Sequence, residues 1–357
     1  MMPAPDALPF GREAYTDHGR FARELDALFR ARGFAAASLA DVERPGAWVR
    51  VPVPDDRLVI ARDAGLGLHL LRDVCRHRGV ALLDGEEGHA PSLQIACPYH
   101  AWRYDLAGSL LRCPGAPDGL DRAAYGLAAG ELSTLATVVF AHAASPPALP
   151  PWLAALDVAA LRRARRVAWE VDANWKLLVE NFQESHHFPT VHPGLESLTP
   201  WRDSHSLVEA PGWLGGVMTL RDGAETVSTT GLLRGRRPIV PTALRRRVHD
   251  AWIAPNLLTS LQPDYLLTYR LHPLAPGRTR VVGEVFVHAA TPDDAGLDEV
   301  FAFWDRTNAE DRAICERQQV GMASRWEGGV YATSEDGTRA FDRWVADGLR
   351  AASESAP

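Results

Sequence analysis

The chain has 357 residues, 46% of them hydrophobic and 23% charged, with a net charge of −7 at neutral pH. This is the balance of a globular protein long enough for two domains. The charge argues against a nucleic-acid binder held by its overall field, and no run of about 18 apolar residues marks a membrane span.

The N-terminus, MMPAPDALPFGREAY, lacks the basic and apolar regions of a signal peptide. Four cysteines, at 75, 97, 113 and 315, are too few for a disulfide scaffold. The expected setting is a reducing, bacterial-type cytoplasm, where closely spaced Cys and His more often mean metal. Residues 11–33 carry Phe21, Leu25, Leu28 and Phe29 at helical spacing, with Gly33 as a C-cap. They predict an N-terminal helical segment, residues 1–45, that packs on the larger C-terminal domain. From 46 to 145 the runs AWVRVPV, RLVIARD, GLHLLRD, LQIACPY and ATVVFAHA predict a small all-β domain. The Pro-rich ASPPALPPWL (144–153) reads as a linker. The second domain, 146–357, opens with a basic, helix-like stretch. Strand-like runs follow at 213–220, 256–272 and 279–289, then helical patterns at 294–325 and 337–351. A sheet followed by a long C-terminal helix predicts an α+β fold.

The β domain contains CRHRG (75–79) and CPYHAW (97–102), so that Cys75-x-His77 precedes Cys97-x-x-His100. Two Cys and two His could form a structural zinc site. Zinc ribbons and fingers, however, usually pair Cys with Cys and His with His, whereas here each loop offers one of each. That arrangement suits a Rieske [2Fe–2S] centre, with two thiolates on one iron and two imidazoles on the other. The 19 residues between His77 and Cys97 slightly exceed the usual spacing, and DGEEGHAPS can absorb the excess in a hairpin.

The segment NWKLLVENFQESHHFPTVHP (174–193) gathers Glu180, Asn181, Glu184, His186, His187 and His192. Taken as a helix over 174–187, it places Glu180, Glu184 and His187 on one face. Pro189 would end that helix at Phe188, and His192 would return on the following turn. Two imidazoles and one carboxylate make a facial triad for non-haem Fe(II), with positions left open for dioxygen and substrate.

With the Rieske motif about a hundred residues upstream, the chain resembles the oxygenase α subunits of Rieske non-haem iron oxygenases over nearly its whole length. The motifs that carry the resemblance are Asn174-Trp175-Lys176, Glu180-Asn181 and Glu184-Ser185-His186-His187 followed by His192. The resemblance implies a helix-grip catalytic domain, an antiparallel sheet with a long C-terminal helix. It implies Cys75, His77, Cys97 and His100 as cluster ligands, and His187, His192 and a helix carboxylate as iron ligands. NAEDRAICERQQVG (308–321) nominates Asp311, with Asp305 and Glu310 as competitors that need no function. It further implies that Glu184 bridges His187 to a cluster histidine, His100, of the neighbouring subunit in a homotrimer or a multiple of trimers. Asn181 joins Glu184 as a catalytic candidate. Implied partners are dioxygen, a small-molecule substrate and a flavin or iron–sulfur reductase, acting directly or through a ferredoxin. No Gly-rich dinucleotide fingerprint is present, so NAD(P)H would be used only by that reductase.

Glu at 184 and the run PNLLTSLQPDYLLTYRLHPLAPGRT resemble the branch of choline, glycine betaine and carnitine oxygenases. That likeness implies hydroxylation or oxidative demethylation of a small quaternary amine. The alternatives are an aromatic-ring hydroxylating dioxygenase, an electron carrier without oxygenase activity, and a zinc hydrolase. His186 is expected either in the pocket or on the helix surface, and Tyr99 either near Glu184 or in the core. His205, His249, His272 and His288 are expected in ordinary structural roles, and Cys113 and Cys315 as small buried hydrophobes. The basic runs 161–166 and 244–250 are solvated faces or docking sites for an acidic reductase.

Overall fold

The computed structural model describes residues 8–142, 146–207 and 212–354. The first seven residues and part of the linker reading at 144–153 therefore lie outside the described residues. Two compact units are present, Arg30–Pro146 and a larger one made of Met1–Phe29 with Pro147–Pro357.

The smaller unit starts at residue 30 rather than 46. Phe34–Ser38 is a strand, buried at every position, which pairs antiparallel with Val138–His142. Gly33 marks the turn into it with φ +94°, and a Cβ there would meet Ala141 O at 2.7 Å. Only glycine fits. The sheet has seven strands, with Phe34–Ser38, Val138–His142, Ala128–Leu135, Leu68–Arg72, Leu58–Arg62, Ala47–Val51 and Glu87–His89 in spatial order. A second sheet of three strands, Gln94–Ala96, Arg103–Asp105 and Leu110–Arg112, completes the all-β unit.

The larger unit is an antiparallel seven-stranded sheet with long helices. Its strand order is Leu161–Val171, Arg278–His288, Tyr265–Ala275, Leu257–Leu261, Arg247–Ile253, Trp213–Thr219 and His205–Leu207. The basic stretch predicted as helical is the first of these strands, eleven residues paired with Arg278–His288. Its arginines have acidic partners in the same unit: Arg163 with Glu284 at 2.6 Å, Arg165 with Asp305 at 2.9 Å and Arg162 with Asp293 at 2.6 Å. Strand pairing and these ion pairs override the helix propensity of Arg and Ala. They also leave that run less free to dock a partner. The single run read at 256–272 is two strands, joined where the Gln262 amide donates to Tyr265 O. Helices Leu297–Ala323 and Asp336–Glu354 close the chain.

Helix His18–Glu24 is tied to helix Trp175–Phe182 by a buried ion cluster. Glu24 Oε2 accepts from Lys176 Nζ at 2.6 Å and from Trp175 Nε1 at 3.1 Å, and both charged side chains are fully enclosed. Burial lowers the Lys176 pKa, and the Glu24 charge opposes that shift. Removing one partner strands the other charge. Glu24→Ala should therefore destabilise the larger unit by about 3–5 kcal/mol, read as a lower midpoint in urea unfolding. The double substitution Glu24→Ala with Lys176→Met should recover much of the loss.

Candidate metal centres

In the segment 174–193, the helix is shorter than predicted. Asn174 caps it by accepting from the Lys176 amide, and it ends at Phe182. Glu180, Glu184 and His187 therefore do not share a helix face. Glu180 is buried, accepting from Tyr15 Oη at 2.9 Å, and burial next to Asp342 raises its pKa well above the usual carboxylate range. Glu184 lies in the loop after the helix. Pro189 does not stop a helix but sits at the start of the next short one, Phe188–Val191, where its missing N–H costs nothing. A second short helix, Pro193–Leu198, follows, and His192 falls at the junction between the two.

This break turns both imidazoles toward the long helix Leu297–Ala323. His192 Nε2 is 2.8 Å from Asp311 Oδ1, and His187 Nε2 is 3.8 Å from the same oxygen. One ligand atom from each of His187, His192 and Asp311 lies within 4.8 Å of the others. The donor set, two imidazoles and a carboxylate gathered at one point, fits a facial iron site. The second ring nitrogens are held as well. His187 Nδ1 donates to Glu184 Oε1 at 2.6 Å, and the His187 amide to Glu184 Oε2 at 3.1 Å. His192 Nδ1 donates to Glu310 Oε2 at 2.7 Å. Burial disfavours a charged His192, but hydrogen bonds and negative charge from Asp311 and Glu310 outweigh it and raise its pKa.

Sequence reasoning left Glu310 as a surface carboxylate without function. The signal was its place beside Asp311, but only the path of the His192 loop shows which nitrogen it meets. A carboxylate that fixes the tautomer of a ligating imidazole typically contributes 10–100-fold to metal affinity. Glu310→Ala, which removes the acceptor altogether, should thus lose iron to a chelator about 10- to 100-fold more readily than the parent chain. His186→Ala should retain iron like the parent, since His186 is exposed and packs on the Trp201 ring at 5.3 Å. Asp305, the other competitor, is engaged with Arg165.

The site opens into a cavity of about 390 Å³. Its walls include Asn181, Phe188, Trp201, His205, Asp250 and Trp304. His205, expected to be merely structural, is among them. Asn181 also lines a smaller cavity, about 60 Å³, with Asp311 and Cys315. Cys315 is buried as expected, while Cys113 is half-buried.

In the smaller unit, Cys75 and Cys97 head two loops of matching shape. Each cysteine amide donates to the carbonyl five residues on, Cys75 to Val80 and Cys97 to Trp102, both at 2.8 Å. Each cysteine carbonyl accepts from the amide four residues on, Gly79 at 3.0 Å and Ala101 at 3.1 Å. Those two residues take φ +72° and +58°, which explains Gly79 and makes Ala101 a strained exception. Both thiols are buried. The His77 and His100 rings lie 4.7 Å apart, and His77 is exposed. His100 Nδ1 is buried with no hydrogen-bond partner among the described residues, a donor atom that a metal would satisfy. Tyr104 Oη is 3.6 Å from Cys75 Sγ and accepts from the Arg76 amide. The residues present fit a Rieske cluster. Tyr99 is not in the core; it is 58% exposed, with its ring 3.7 Å from that of His100.

Residues 34–129 match the Rieske [2Fe–2S] domain, and residues 158–351 match the ring hydroxylating alpha subunit catalytic domain. The chain belongs to the ring-hydroxylating oxygenase alpha subunits. It is thus an oxygenase with a Rieske [2Fe–2S] cluster and a mononuclear iron. The oxygenase is 27% identical to the glycine betaine monooxygenase oxygenase subunit of Chromohalobacter salexigens, over 93% of this chain and 84% of that one. It is also 27% identical to putrescine 2-hydroxylase of Ralstonia nicotianae, over 96% of each. Its fold matches that of a quaternary ammonium Rieske monooxygenase in complex with L-carnitine, with TM-score 0.79, 21% identity and 95% of each chain covered. Among the described residues of the oxygenase, no helix is long and apolar enough to cross a membrane.

Proposed function

We propose that this oxygenase is the terminal component of a multicomponent system that oxidises a small organic cation of the amine class. Electrons come from a separate reductase, which alone uses NAD(P)H, and the working unit is a trimer or a multiple of trimers in the cytoplasm. Cys75, Cys97, His77 and His100 hold the cluster, and His187, His192 and Asp311 hold the iron. The observation that carries this is the triad's position on the wall of a cavity sized for a small substrate, with Trp201 and Trp304 beside it. Indole faces attract an organic cation through their π-systems. Relatives named for glycine betaine and putrescine point to the same class of substrate.

When bound, the two centres supply electron transfer and dioxygen reduction next to the substrate. The chain's own residues do the positioning. Glu184 fixes the His187 tautomer, and its remaining lone pairs can accept from an imidazole of a neighbouring copy. Asn181 presents a polar side chain to the cavity beside Asp311. Putting one oxygen atom of O₂ into a C–H bond and releasing the other as water consumes two electrons and two protons, hence the reductase.

A substrate screen with a surrogate reductase tests this. Cationic amines should give product in step with dioxygen consumed. Product from neutral aromatics alone, with amines only uncoupling dioxygen uptake, would overturn it.

A further inference from the structure

The cavity floor is a row of residues lying directly opposite one another across adjacent strands. Gly216 pairs with Ser206 on one side and Asp250 on the other, and Asp250 pairs with Ser260. Directly opposed residues point to the same face, and all four line the cavity. The flanking pairs Met218 with Val248 and Leu214 with Trp252 and Leu258 are apolar, while the buried Gln262, two residues on from Ser260, donates to Ser260 Oγ at 2.9 Å. The row thus has a carboxyl group at its centre, flanked by these apolar pairs and with no side chain beside it at Gly216.

Asp250 is poorly satisfied. Its Oδ1 is closed off from water and has no hydrogen-bond partner among the described residues. Burial pushes its pKa up to about 7, opposed only by the Ser260 hydroxyl; no basic side chain offsets its charge. Asp250 is half-buried, and a carboxylate so placed with no cation beside it is stabilised by a proton or by a cation entering the cavity. Asp250 shares the cavity with Asp311, and the negative charges of both add to burial in raising the Tyr269 pKa.

We propose that Asp250 anchors an N–H-bearing ammonium group of the substrate, so that protonated primary, secondary and tertiary amines are preferred over quaternary ones. This rests on the amine assignment above and narrows it. The carboxylate can accept a charge-assisted hydrogen bond from N–H, whereas a trimethylammonium group offers none. A site built to receive a hydrogen bond discriminates strongly against an analogue that cannot make it.

The test is anaerobic calorimetry of the iron-loaded protein with butylamine, N-methylbutylamine, N,N-dimethylbutylamine and butyltrimethylammonium, all cations. Affinity should drop about tenfold or more at the last methylation, where the final N–H is lost. Asp250→Ala should weaken the protonated amines by about tenfold to a hundredfold, erase that step and leave iron content unchanged. If butyltrimethylammonium binds the parent chain as tightly as the dimethyl compound, the anchor is overturned while amine binding stands. If none of the four binds and a neutral aromatic such as indole does, the amine assignment fails and the anchor with it. The contrast within the parent chain decides the matter even if the variant folds poorly.

Discussion

Asp311→Ala is expected to empty the mononuclear iron site while leaving the cluster in place. Asp311 is the one anionic member of the triad, and its Oδ1 stands 2.8 Å from His192 Nε2 and 3.8 Å from His187 Nε2. Without it, two neutral imidazoles remain, too few to hold Fe(II) against solvent. Even a supporting carboxylate is worth about 10–100-fold in affinity, so loss of a direct ligand should exceed that range. The smaller unit has its own core, in which Cys75 and Cys97 are buried with Trp102 and Tyr104, and the substitution does not touch it. Purified protein should therefore stay red-brown, retain about two of about three irons per chain and form no product. Full iron and activity in Asp311→Ala would place the third ligand elsewhere, with Glu310 next to examine.

Glu184→Gln should separate iron binding from turnover. The Glu184 carboxylate already takes two N–H groups of His187 and retains further acceptor capacity; the amide has one acceptor oxygen and a donor that faces the wrong way. The amide oxygen can still meet His187 Nδ1, so both metal centres should load and keep their spectra. Turnover should fall about a hundredfold, the upper end for loss of a group that orients a metal ligand. Rapid mixing gives a readout that a merely structural change would not move. With the cluster reduced and dioxygen and substrate added, cluster reoxidation should slow in parallel with product formation. Normal reoxidation and product yield would remove Glu184 from the electron path.

Much of both candidate sites was legible because it is local in sequence. Cys75, His77, Cys97 and His100 sit in two short loops whose matching backbone turns need only a few residues each. His187 and His192 are similarly close. What failed was secondary structure wherever tertiary contacts decide it. The LRRARR run has the composition of a helix but pairs as a strand, its charges met by Glu284, Asp293 and Asp305 from far along the chain. The helix assumed through His187 stops at Phe182, and the loop that replaces it is what brings Glu184 onto His187. Glu310 lay in the motif that nominated Asp311 but showed no partner there, and His205 and Asp250 carried no motif. Their positions at the candidate site come from register and from the fold-back of a distant helix, which spacing alone does not encode.

Counting iron, acid-labile sulfide and zinc in protein purified without air tests the central assignment most directly. The Cys75/His77/Cys97/His100 and His187/His192/Asp311 sets together call for about three irons and two sulfides per chain, with no zinc. Stoichiometric zinc without sulfide, in a colourless protein, would contradict it.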